Sequence, residues 1–108
     1  MTRFGPEIEE GIARVRSEVA AMHAELVRNG LAVWTAGNVS SRVPGAEMFL
    51  IKPSGVNYDD LAPETMILCG LDGHVIPGTP GSDRSPSSDT AAHAYVYQHM
   101  PEVGGVVH

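Results

Sequence analysis

Apolar positions change their period along this chain of 108 residues. Beyond Pro6, the residues Ile8, Ile12, Val15, Val19, Met22 and Leu26 recur at steps of four, three, four, three and four. That spacing draws one stripe along an α-helix, with Glu9, Glu10, Arg14 and Arg16 largely off it. Pro6 suits a first helical turn, and Asn29-Gly30 suits a stop. The stripe predicts a core-packing helix with no chemistry of its own. His23, just beside it, reads as a packed or solvated histidine rather than a ligand.

After Gly30 the period shortens. "LAVWTAGNVSSRV" predicts two short strands parted by the turn-prone Ala36-Gly37-Asn38. "MFLIKPSGV" predicts a buried strand over Met48 to Ile51, ended by Pro53 and Gly55. "MILCGLDGHVI" predicts a hairpin with Asp72-Gly73 at its tip. A Gly-, Ser- and Pro-rich loop over residues 78–86 then leads into a second helix, about 88–100, stopped by Pro101. "GGVVH" begins another strand, and no repeat is present. Two helices and five or six strands predict an α/β fold with a mixed, mainly antiparallel sheet flanked by helices. An apolar strand that stops at His108 would leave backbone groups unpaired, so residues 1–108 are expected to be the N-terminal part of a single longer domain.

Composition narrows the partners. Apolar residues make up 43% of the chain, enough for a core, and the length suits one domain. Seven Lys and Arg stand against thirteen Asp and Glu, for a formal charge of −6. That balance argues against nucleic acid or an anionic membrane as the main partner, though a locally positive pocket can still take a small anion. The single cysteine, Cys69, cannot form an intrachain disulfide and suits a reducing compartment. The N-terminus lacks the apolar run of a signal peptide and no segment is long enough to span a bilayer, so the expected address is cytoplasmic.

Three short segments carry the candidate chemistry: "GNVSSR" from Gly37, "KPSG" from Lys52 and "PSSD" from Pro86. Each offers small residues with hydroxyls or amides and accessible backbone N–H groups, which suits a phosphate; a helix start at Ser88 adds a favourable dipole. The same residues also fit an ordinary N-cap at Ser88, a turn at Pro53-Ser54-Gly55 and a turn residue at Asn38. None matches a Walker loop or a dinucleotide fingerprint. Asp89 and His93 are four apart and can face one ion, whereas His108 meets Asp89 only through the fold. Spacing alone does not choose between them. His74 and His99 read as surface residues and Cys69 as a buried strand residue.

Taken in order, "WTAGNVSSR", "IKPSGVNY", "PSSDTAAH" and "PEVGGVVH" resemble the class II aldolase and L-ribulose-5-phosphate 4-epimerase family. The likeness is nearer the epimerases, whose pattern has "KPSGV.Y" and "SSDT..H"; aldolase members typically carry Glu at the place of Asp89. The resemblance implies a three-layer helix–sheet–helix domain, assembled as a homotetramer with sites near subunit contacts. It implies that Gly37, Asn38, Ser54, Gly55, Ser87 and Ser88 bind a sugar phosphate, with Lys52 near the phosphate loop. Asp89 would be a substrate-binding and catalytic residue at the site of a zinc or other divalent cation, and His108 the first histidine of the metal pair. His93 would support the helix without ligating metal. The implied reaction is interconversion of L-ribulose 5-phosphate and D-xylulose 5-phosphate by retro-aldol cleavage and re-addition; the neighbouring alternative is an aldolase that cleaves a ketose 1-phosphate. A non-catalytic fragment is the third reading. Two departures stand out: residues 81–84 lengthen the loop before the serine pair, and the family's further histidines and acid–base residues would follow His108.

Overall fold

A computed structural model describes residues 3–32 and 36–108. Helix α1 spans Pro6–Arg28, followed by strands β1 (Val39–Arg42), β2 (Met48–Ile51) and β3 (Ile67–Gly70). Helix α2 (Thr90–His99) and strand β4 (Gly105–Val107) complete the chain, with single 3-10 turns at Tyr58–Asp60 and Pro63–Thr65. The sheet order is β3-β2-β1-β4, and each of its three pairings is antiparallel.

Strand alternation explains the layers. Met48 and Leu50 of β2 point to the α1 side, where Ile12, Val15 and Val19 pack on them together with Leu68. Phe49 and Ile51 point the other way, against Ile67, Cys69, Ala94 and Tyr97 beneath α2. All four residues of β2 are therefore buried, as a strand covered on both faces requires. The expected helix–sheet–helix arrangement is present. The strand count is lower than expected, with four among the described residues and no parallel pair. After the turn at Asp72-Gly73 the chain returns along β3 with one bridge, Cys69 to Val75, and a bond from Ile76 N–H to Leu68 O at 2.9 Å. Pro77 follows directly and cannot donate to a ladder, so the return arm goes no further. The first strand expected within "LAVWTAG" falls largely on residues 33–35, outside the described residues.

Two polar side chains of α1 go inside, Arg16 against expectation and His23 in keeping with the packed alternative. Arg16, expected off the stripe, is buried; its guanidinium donates to the carbonyls of Met66 and Pro80 and reaches that of Pro63. Burial pulls its pKa down, and the carbonyls replace the water it has lost. His23 is fully enclosed. Its Nδ1 lies 2.8 Å from Val19 O, and its Nε2 accepts from Val39 N–H at 3.1 Å. Only a neutral ring with its proton on Nδ1 satisfies both contacts, and burial lowers its pKa to about 4. The first residue of β1 is thus pinned to α1, which sets the position of Asn38 just before it. Among the described residues no helix is long and apolar enough to cross a membrane.

Candidate functional site

Backbone hydrogen bonds far apart in sequence bring the candidate loops together. Ser54 N–H donates to Ser85 O at 2.8 Å and Ser87 N–H to Lys52 O at 3.0 Å, with a bridge between Pro53 and Pro86. Those contacts join the "KPSG" and "PSSD" segments side by side. Beyond β1, Asn38 and His108 exchange both backbone bonds at 2.9 Å, extending the β1–β4 ladder by one pair. Between these segments opens a cleft of about 460 Å³. Gly37, Asn38, Ser54, Gly55, Ser87, Ser88, Asp89 and His108 all line it, together with Lys52 and Ala36. The residues that the resemblance singles out for phosphate or metal contact therefore lie in one place, while His93 does not line the cleft.

Asp89 is the hub. Its Oδ2 accepts from Asn38 Nδ2 at 2.7 Å and lies 2.9 Å from His108 Nδ1. The Asn38 amide first, and His108 next, hold its carboxyl below the usual carboxylate range. Although Asp89 occupies the N-cap position of α2, its side chain makes no capping bond. Ser87 serves the helix start instead: its Oγ accepts from Asp89 N–H at 3.2 Å, and its carbonyl accepts from Thr90 N–H and from Thr90 Oγ1. Ser88 is exposed and is not the cap, so the helix begins two residues later than the sequence suggests. Freed from capping, the Asp89 carboxylate turns to the cleft. Among the described residues, the N–H groups of Gly55 and Ser88 have no acceptor.

One support escapes the sequence reading. Tyr58 reaches the carbonyls of Ala36 and Gly37 with its hydroxyl at 2.9 and 2.6 Å and so braces the loop before Asn38. Gly37 holds φ +86°, and a Cβ there would lie 3.4 Å from that hydroxyl, so the turn favours glycine. The signal for Tyr58 was present as the last residue of "IKPSGVNY", but a tyrosine after a turn has no local mark of where its hydroxyl goes. Lys52 is buried, with its Nζ 4.6 Å from the Tyr58 ring centre; burial lowers its pKa, and Asp89 opposes that shift. His93 bonds Ser40 through Nδ1 at 2.6 Å. No group of three or more His, Cys, Asp or Glu side chains suited to a metal occurs among the described residues.

An α1-covered antiparallel sheet with this cleft at one end defines a known class. Residues 17–108 match the family described as Class II Aldolase and Adducin N-terminal domain, and the chain belongs to that family. Among curated relatives, the "Probable L-ribulose-5-phosphate 4-epimerase UlaF" of Mycoplasma pneumoniae is 39% identical over 94 residues, covering 87% of this chain and 38% of its own length. The L-ribulose-5-phosphate 4-epimerase UlaF of Salmonella paratyphi B is 39% identical over 95 residues, covering 88% and 40%. The chain thus spans about two fifths of the length of these relatives. An L-fuculose 1-phosphate aldolase structure superposes with a TM-score of 0.77 at 25% identity, over 88% of this chain and 43% of that one. The L-fuculose 1-phosphate aldolase from Glaciozyma antarctica has a TM-score of 0.80 at 22% identity, over 100% and 44%, which supports the fold alone.

Proposed function

We propose that this chain is the phosphate-binding part, and contributes part of the metal site, of a divalent-cation-dependent sugar-phosphate epimerase that interconverts L-ribulose 5-phosphate and D-xylulose 5-phosphate. The observation that carries the reading is the Asp89–His108 pair, 2.9 Å apart at the end of a cleft lined by Ser54, Gly55, Ser87 and Ser88. Exposed N–H groups and hydroxyls on adjoining loops can surround a phosphate's oxygens. Lys52 adds positive charge on the same wall. Asn38 holds the carboxylate in one orientation through a 2.7 Å bond.

The donor set fits a divalent cation in part. An imidazole whose Nδ1–H is held by a carboxylate keeps its Nε2 lone pair for a metal, and the His108 side chain is two-thirds exposed. Bound to the opposite ring nitrogen, Asp89 orients that imidazole, and its own oxygens would reach the same ion only with the ring turned so that Nε2 faces them. Two donors are fewer than a zinc site needs, so the remaining ligands would come from beyond these residues. A cation there would supply Lewis-acid stabilisation of the negative charge that forms when a carbon–carbon bond breaks. The chain's own residues would grip the phosphate, orient the sugar and keep Asp89 ionised. The working form is proposed to be a homo-oligomer, a tetramer by the family resemblance. The second reading, an aldolase acting on a ketose 1-phosphate, is favoured by the likeness to the L-fuculose 1-phosphate aldolase structure.

Two assays of the full-length protein with zinc separate the readings: L-ribulose 5-phosphate with D-xylulose 5-phosphate followed, and a ketose 1-phosphate with dihydroxyacetone phosphate followed. Cleavage products without epimer would replace the first reading by the second. Neither reaction would leave a non-catalytic anion-binding domain. The isolated 108-residue chain is expected to show no turnover in either assay.

A further inference from the structure

Behind Asp89, between β1 and α2, three buried polar groups form a chain. Ser40 Oγ lies 2.6 Å from the Tyr97 hydroxyl and 2.6 Å from His93 Nδ1. Each group brings one hydrogen, and two bonds use two of the three, so the direction of donation decides where the last one lies. Donation from His93 to Ser40 to Tyr97 would strand the phenol proton and leave Nε2 of His93 as a bare lone pair. Donation from Tyr97 to Ser40 to His93 leaves a single group over, the Nε2–H of a neutral imidazole. Each buried polar group left without a partner costs stability, so the second direction, which leaves one rather than two, prevails. Burial lowers the pKa of His93, in keeping with a neutral ring.

His93 Nε2 is enclosed and has no protein partner, and the same is true of Asn38 Oδ1. One is a donor and the other an acceptor. Asn38 and Ser40 lie two apart on extended backbone and share a face; Asp89 and His93 lie four apart at the start of α2 and share another. Ser40 touches His93 and Asn38 touches Asp89, so both enclosed atoms are held between β1 and the start of α2. The His93 ring also stands edge-on to that of His108, with centres 6.5 Å apart.

We propose that His93 is a positioning residue: the Tyr97–Ser40 relay sets it as an Nε2–H donor to a buried water that donates in turn to Asn38 Oδ1, locking the amide that clamps Asp89. A water meets both needs at once, since it accepts and donates. The proposal rests on hydrogen-bond accounting and is independent of which sugar phosphate the cleft takes.

Long-range 15N–1H correlation of the imidazole in the full-length wild-type protein reads the tautomer directly. The Nε2–H form is expected for His93, and an Nδ1–H form would overturn the proposal whatever any variant does. A crystal structure at about 1.5 Å should show an ordered oxygen within hydrogen-bond distance of His93 Nε2 and Asn38 Oδ1. Absence of that oxygen from a well-ordered junction would also overturn it. Exchange of the Asn38 side-chain amide protons gives the third readout. His93→Leu should speed it about tenfold, the loss of one hydrogen bond, and His93→Gln should restore it to within about twofold. Equal exchange in folded His93→Leu and wild type would remove the positioning role.

Discussion

The two faces of the sheet treat buried polar groups in opposite ways. Beneath α1, Arg16 and His23 lie deep in the apolar layer, and each is satisfied by backbone groups. Beneath α2, the Tyr97–Ser40–His93 chain ends in an enclosed nitrogen with no protein partner, and an Asn38 oxygen is similarly enclosed. The first face uses polarity to fix where the chain goes. On the second face, the unmet hydrogen bonds lie enclosed behind an acid–imidazole pair that faces the cleft. Substitutions should therefore lower stability on the α1 side and lower binding on the cleft side.

The largest expected effect tests the α1 face. Arg16→Met removes a guanidinium from buried carbonyls of Met66 and Pro80 and should cost about 3 kcal/mol in urea unfolding, through unsatisfied acceptors. Zinc and phosphate affinity of the folded fraction should stay within about twofold. A loss below about 1 kcal/mol would mean that the guanidinium only fills space.

Acid comes next. His23 takes up a proton near 6.5 when unfolded and near 4 when folded, so between those values the unfolded chain holds more protons. Stability should fall as pH drops through 6.5, with the loss complete below about pH 4 and amounting to at most about 3 kcal/mol. Comparing urea midpoints at pH 7 and 4.5 measures it. In His23→Gln that part of the pH slope should vanish; an unchanged slope would place the titration elsewhere.

On the cleft side, Asp89→Asn should change stability by less than about 1 kcal/mol, because the side chain is a third exposed and caps nothing. It should still weaken zinc binding to the full-length protein tenfold or more by calorimetry. Equal zinc affinity in the variant would detach the carboxylate from the metal site. The smallest effect is predicted for Ser88→Ala: unfolding within about 0.5 kcal/mol of wild type, and phosphate affinity down a few fold. A clear loss of stability would mean that Ser88 holds the helix after all.

Much of this architecture was legible beforehand, and the misses share a cause. The stripe of α1, the strand at Met48–Ile51 and the helix before Pro101 follow from local periodicity and breakers, which need no knowledge of neighbours. The eight candidate residues that line the cleft come from short segments whose turn chemistry and family likeness are both local. Arg16 goes inside against expectation, and His23 takes the packed one of its two alternatives, because a charged or polar side chain beside a stripe goes to water unless something across the fold offers it a partner. The carbonyl of Met66, fifty residues away, and the amide of Val39 made that offer. Ser88 has the residue type of a cap, but Ser87 is the residue that the bond to Lys52 O draws to the helix start.

The sequence by itself determined which segments are helix or strand, the acidic balance and the residues able to bind an anion or a cation. Only the tertiary structure decided how many strands pair, that Pro53 and Pro86 join two loops, that Asp89 faces His108, and which buried atoms go unmet. Periodicity and turn preference are set within a few residues. Pairing and convergence depend on contacts between distant segments, whose geometry appears only once the two layers have closed on the sheet.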